Sequence, residues 1–264
     1  MVHSPWIKMG EQLRLRVFAG PNGSGKTTII NSVRDLVING RKVDFGMYIN
    51  ADDIAQDLRV SHFSFNRYSI SGVSPKELID SALESGLLEK TDPDSSRPTF
   101  IEIVDDKVFC SLNEMIEPLA QLIADFLRRK LLAARIKFSF ETVFSHSSKV
   151  DFMRESSQAG YKVYLYFVGT ESPEINQFRV RSRVAKGGHN VPEDKVLSRY
   201  DRSMNLLMAA AQCCYQAFFF DNSNDGEQFS LFAHFKLIDG KKVWDPIDWD
   251  KVPQWFHKYY ANKI

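Results

Sequence analysis

The sequence predicts an α/β protein: a three-layer sandwich whose mostly parallel five-stranded sheet is covered by helices on both faces, with an inserted segment and a C-terminal β-hairpin. Three observations predict it. Short apolar runs recur at 13–19, 43–49, 136–140, 162–168 and 217–220. Helical patterns separate these runs, and strands that alternate with helices pair in parallel under cover on both sides. A glycine-rich loop joins the first run directly to a helical pattern.

Taken in order, residues 13–19 alternate apolar and basic and then turn wholly apolar, as a strand does on entering a sheet. After the loop, Lys26 to Val37 carries Ile29, Ile30, Val33, Leu36 and Val37 at helical spacing, and Asn39 with Gly40 predicts its stop. The run at 43–49 ends on Asn50, Asp52 and Asp53. Residues 60–112 hold mixed signals, with Asn66, Pro75, Pro93 and Pro98, and read as an insertion or lid rather than sheet; Thr91 to Pro98 is a loop. Phe63, Phe65 and Tyr68 around Arg67 are core by default, with stacking on a base or sugar as the alternative. The run at 136–140 leads to Glu141 and Thr142, and that at 217–220, with Phe218, Phe219 and Phe220 buried, leads to Asp221 and Asn222. Residues 231–244 read as a hairpin turning at Asp239 and Gly240, followed by a helix at Pro253 to Tyr260. The elements favour a single domain over 1–264, with the insertion at about 60–112 and the hairpin plus helix at about 229–264.

Composition narrows the partners. With 34 lysines and arginines against 33 acidic residues, the net charge of +1 gives no global field for nucleic acid or an anionic membrane. Any basic site must be local. No apolar run is long enough to span a membrane, the start lacks a signal-peptide core, and the three cysteines, Cys110, Cys213 and Cys214, read as reduced thiols. These features predict a cytoplasmic protein.

The loop carries the chemistry. Gly20, Pro21, Asn22, Gly23, Ser24, Gly25, Lys26 and Thr27 fit G-x-x-x-x-G-K-[ST] at every position. Glycines allow the backbone angles that turn successive N–H groups towards phosphate oxygens, and the following helix presents its positive end to them. Lys26 then neutralises β- and γ-phosphate charge, Thr27 ligates magnesium, and Thr28 joins the loop residues that bind the nucleotide. The expected cofactors are ATP and Mg2+; GTP is disfavoured because no N-K-x-D motif occurs. A transporter ATPase would need an L-S-G-G-Q-type signature and an apolar strand ending in Asp-Glu, and neither is present. Phosphoryl transfer to a hydroxyl also needs a carboxylate near that hydroxyl and cations around the moving group. Asp52, Asp53 and Glu141 are the carboxylates at strand ends, with helix N-capping as the bland reading for the aspartates.

Phe18 to Thr28, Asn50 to Ile54, Phe138 to His146, the strand at 162–168 and Ser172 to Pro192 together make the chain resemble the zeta-toxin-like kinases over most of 13–223. The resemblance implies a P-loop kinase fold that phosphorylates a hydroxyl of UDP-N-acetylglucosamine, and a small antitoxin partner that obstructs the nucleotide site. Carried over by position, Lys26 holds the phosphates, Asp52 is the base with Asp53 its fallback, and Glu141 places the acceptor or a magnesium water. Arg179 meets the transferring phosphate, with Arg183 four residues on. His189 stands where the family has a second lid arginine, either as a weaker clamp that Arg199 or Arg202 would supplement or as a loop-packing residue. Two other classes stay open on sequence: a nucleotide-gated ATPase acting on a protein partner, and a polynucleotide-end kinase, which the balanced charge disfavours.

Overall fold

The computed structural model describes residues 12–84, 100–187, 191–224, 226 and 228–263. The loop expected at 91–98 and the residue His189 lie outside them. The chain divides into two compact units, Met1–Phe45 with Glu141–Ile264, and Gly46–Phe140.

The first unit begins with β1 (Arg14–Ala19), the loop and α1 (Lys26–Asp35). The expected helix to Val37 stops two residues early. Val37–Ile38 (β2) and Arg41–Lys42 (β3) instead pair antiparallel about Asn39 and Gly40, whose φ angles of 51° and 74° are the left-handed pair that a tight hairpin turn requires.

The second unit holds β4 (Met47–Ile49), α2 (Ala51–Val60), β5 (Phe63–Ser64), α3 (Pro75–Glu84), β6 (Ile101–Val104), β7 (Lys107–Cys110), α4 (Ile116–Ala133) and the start of β8 (Phe138–Thr142). β4 and β8 run parallel, with Ile49 opposite Phe140. Residues 60–112 were expected to lack sheet, yet β5, β7 and β6 form a small antiparallel sheet. Strands of two to four residues are too short for alternation to show in a sequence. The core reading of the aromatics holds: Phe63 and Phe65 are fully buried, Tyr68 is 5% exposed, and Phe65 meets Phe126 of α4 edge-on at 5.5 Å. Arg67 pairs with Asp57 at 2.8 Å.

Glu141 and Thr142 return the chain to the first unit, which continues through α5 (Ser148–Gln158), β9 (Lys162–Gly169), α6 (Pro173–Ala185), α7 (Glu193–Asn205), α8 (Leu207–Gln212), β10 (Gln216–Asp221), β11 (Ser230–Ile238), β12 (Lys241–Trp244) and α9 (Gln254–Tyr259). Within this unit the strand order is β12-β11-β10-β9-β1, parallel from β1 to β10 and antiparallel beyond. The main sheet therefore has seven strands rather than the five expected. The hairpin read as a separate tail supplies the other two, because β10 without it would end the sheet on a row of unpaired N–H and C=O groups. Glu171 then anchors α9, its carboxylate accepting the N–H groups of Gln254 and Trp255 at 2.8 and 3.1 Å, and Asp221 accepts Trp255 Nε1 at 2.8 Å. Among the described residues no helix is long and apolar enough to cross a membrane.

Candidate functional site

Every residue of β1 from Leu15 to Ala19 is buried, so the chain leaves the sheet at Gly20 with its backbone already fixed. The loop then turns through Gly20, Gly23 and Gly25, all at positive φ, and α1 starts at Lys26. Val33, Ile29 and Ile30 bury the inner face of α1, which orients its N-terminus towards the loop.

Lys26 is 7% exposed. Its Nζ donates to the carbonyls of Gly20 and Pro21, both at 3.0 Å, and stands 3.9 Å from Glu141 Oε1. Thr27 and Thr28 are exposed at the first turn of α1. Inside the loop, Ser24 Oγ and Asn22 Oδ1 are buried without a hydrogen-bond partner. A loop with a buried lysine, unpaired polar atoms and a helix N-terminus fits the phosphates of a nucleotide. Thr142 follows Glu141, its hydroxyl accepting the Phe144 N–H at 3.0 Å.

Two asparagines complete the surroundings. Asn176 of α6, fully buried, donates from Nδ2 to the Asn22 carbonyl at 2.6 Å. Asn222, just past β10, donates from Nδ2 to the Ser24 carbonyl at 2.8 Å. Arg179 Nη1 donates to the Asn222 carbonyl at 2.6 Å, which sets this half-buried arginine next to the loop. Arg183 is exposed one turn further along α6. Arg202 folds back on its own helix, donating to the Ser198 carbonyl at 3.1 Å.

The structure thus gathers Gly20 to Thr28, Glu141 and Arg179 in one unit. Asp52 and Asp53 stand in the other, exposed in the first turn of α2, where Asn50 Oδ1 accepts the Asp52 N–H at 3.0 Å as the helix cap. Sequence reasoning flagged Asn222 only as a polar residue at a strand end and missed Asn176. Its one clue was position, three residues before Arg179 on a predicted helix.

The strand, phosphate loop and helix, set in a mainly parallel sheet, define a P-loop α/β fold of the kind that the zeta-toxin resemblance implies. No protein-family model matches the chain. An uncharacterized protein of Haemophilus influenzae is 37% identical over 65 residues, which are 25% of this chain and 46% of that protein. Among solved structures, the AvrRxo1-ORF1:-ORF2 complex with ATP is similar with a TM-score of 0.52 at 15% identity, over 97% of this chain and 65% of that one. The same complex with sulphate ions gives 0.50 at 16% identity, over 97% and 66%. The PezAT chromosomal toxin-antitoxin system of Streptococcus pneumoniae gives 0.45 at 15% identity, over 83% and 72%. The chain therefore spans under half of the Haemophilus relative and just under two thirds of the matched AvrRxo1 chains.

Proposed function

We propose that this protein is a kinase that transfers the γ-phosphoryl group of ATP to a hydroxyl of a small molecule. The observation that carries the reading is Lys26, nearly buried in the phosphate loop with Glu141 3.9 Å from its ammonium. MgATP would supply the transferable group and, through its cation, screen the phosphate charge. Lys26 would exchange the Gly20 and Pro21 carbonyls for phosphate oxygens, and Thr27 would help hold the cation through its hydroxyl. Arg179, with Arg183 on the same helix, holds the transferring group; arginine suits this because its fork grips oxygens in pairs and keeps its charge. Glu141 would order the acceptor or a water beside the cation. Asp52 accepts the proton of the acceptor hydroxyl, with Asp53 as the fallback.

A UDP-sugar, UDP-N-acetylglucosamine first, is the acceptor class that the sequence resemblance supports, and the same resemblance supports a toxin held by an antitoxin; the free thiols of Cys110, Cys213 and Cys214 support action in the cytoplasm. The AvrRxo1-ORF1:-ORF2 structures, one with ATP, support nucleotide binding and a protein partner for this fold. The test is incubation of the purified chain with ATP and magnesium against a panel of UDP-sugars and other hydroxyl compounds, read by mass spectrometry as the gain of one phosphate. Asp52→Asn should keep ATP binding and lose product. A silent panel in which ATP is hydrolysed equally with and without every acceptor would overturn the kinase reading.

A further inference from the structure

The phosphate loop is held from behind, and we propose that Asn176 and Asn222 are positioning residues that set its N–H groups for phosphate and tie helix α6 to it. This rests on the reading that the loop binds a nucleoside triphosphate. In a trans peptide the C=O of one residue and the N–H of the next point in opposite directions. The Asn176 amide holds the Asn22 carbonyl at 2.6 Å, so the Gly23 N–H is turned to the opposite side; the Asn222 amide holds the Ser24 carbonyl at 2.8 Å, so the Gly25 N–H is turned likewise. Alternate peptides are thereby fixed with their donors forward, the arrangement that makes an anion-binding concavity.

The glycines of the motif have a second reason in this chain. A Cβ on Gly23 would stand 2.6 Å from the Asn176 carbonyl oxygen, and one on Gly25 would stand 2.2 Å from Asn222 Nδ2. Only glycine lets the two braces approach this closely. The Asn176 amide is itself oriented: the Thr170 hydroxyl donates to Asn176 Oδ1, which leaves Nδ2 facing Asn22. Thr170 and Asn176 are both fully buried, and the Thr170 carbonyl accepts the Tyr200 hydroxyl at 2.5 Å. Arg179 lies three residues after Asn176, on the same face of α6, and donates to the Asn222 carbonyl at 2.6 Å. One helix therefore carries both a brace for the loop and the arginine offered to the transferring group. Displacing the loop displaces Arg179.

The test uses the full chain, magnesium and a fluorescent N-methylanthraniloyl ATP as the probe. Asn176→Asp keeps the oxygen that accepts from Thr170 and replaces the donor facing Asn22 by an acceptor; its Kd should rise about tenfold. Thr170→Val frees the amide to turn and should raise Kd about threefold, and the double variant should bind no more weakly than Asn176→Asp alone, since both changes act through one contact. A merely structural role would lower the unfolding midpoint and the titration amplitude but leave Kd where it is. Unchanged Kd in Asn176→Asp and Thr170→Val overturns the proposal. If Asn176→Asp does not fold, Thr170→Val and Asn222→Ala decide it by the same measure. A wild-type chain that fails to bind the probe overturns the kinase reading and this proposal with it, whereas a wild type that binds alongside unaffected variants overturns this proposal alone.

Discussion

Lys26 Nζ stands 3.9 Å from Glu141 Oε1 while it donates to the Gly20 and Pro21 carbonyls. Both side chains are largely shielded, at 7% and 14% exposure. Opposite charges about 4 Å apart attract by about 4 kcal/mol at the effective dielectric of such a site, before desolvation is subtracted. Glu141 therefore competes with a phosphate for the lysine. Glu141→Gln should bind magnesium-free ATP a few-fold more tightly than the wild type and transfer phosphate at least tenfold more slowly. Calorimetric titration and a product assay read the two effects separately, and weaker ATP binding in the variant would contradict the competition.

Gly25→Ala tests the loop from another side. Its new Cβ would lie 2.2 Å from Asn222 Nδ2, on a residue whose φ of 95° already disfavours any side chain. The variant should lose ATP binding by about a hundredfold, since Asn222 must leave the Ser24 carbonyl. Gly40→Ala, with open space around its Cβ at a φ of 74°, provides the comparison: similar backbone strain, and ATP affinity unchanged.

What the sequence shows about this molecule follows from how local each signal is. The phosphate loop and Lys26 are legible because residues 20–27 are contiguous, and the parallel strands are legible because runs such as 162–168 are long enough to bury. The start of α2 is legible only in part: capping is a reading of Asp52 or Asp53 in the sequence, whereas the cap is Asn50 and the aspartates lie inside the first turn. The two-residue strands Val37–Ile38 and Phe63–Ser64 leave no periodic trace, since a pattern needs more residues than they have. The tail is legible as a hairpin, but its membership of the main sheet comes from the pairing of β10 with β11, from Gln216 opposite Lys236 to Asp221 opposite Ser230, which no local pattern announces. Asn176 was illegible for the same reason: its partner Asn22 is 154 positions away, and a lone asparagine on a helix has no spacing to read.

Arg128 of α4 is a stability prediction in the second unit. It is 3% exposed, donates to Asp125 Oδ1 at 2.6 Å and lies over the Phe140 ring with its guanidinium carbon 5.0 Å from the centroid. Burial pushes its pKa down and Asp125 pushes it back up. Breaking a buried pair by removing one partner leaves an uncompensated charge, so Arg128→Ala should destabilise the fold by about 3 kcal/mol, read from urea unfolding. Asp125 keeps Arg129 Nε at 3.0 Å, which holds the loss at the low end. Replacing both partners, Asp125→Leu with Arg128→Met, should recover at least half of it. A double variant as unstable as Arg128→Ala would show that packing rather than charge dominates here.

Tyr68 makes the alkaline limb of stability testable. Its hydroxyl donates to the Tyr48 carbonyl at 3.0 Å, and the side chain is 5% exposed. Burial first, opposed by Arg67 and reinforced by Asp53 and Asp57, pushes its phenol up to about 12. An unfolded tyrosine ionises near 10, so the folded state holds the proton more tightly. The stability this represents is fully present below pH 10 and is lost as pH rises from 10 towards 12, because the unfolded chain then gains by ionising first. A shift of about two units corresponds to about 2.7 kcal/mol. Tyr68→Phe should cost about 1 kcal/mol at pH 8, where the Tyr48 carbonyl loses its donor. It should then fall less steeply than the wild type above pH 10, so that the gap between the two closes as pH rises. Tyr166, Tyr200 and Tyr260 are raised by burial as well and slope both proteins alike, which is why the difference between wild type and variant is the quantity to follow. A gap that stays constant from pH 8 to 11 would mean that Tyr68 ionises as freely in the folded chain as in the unfolded one.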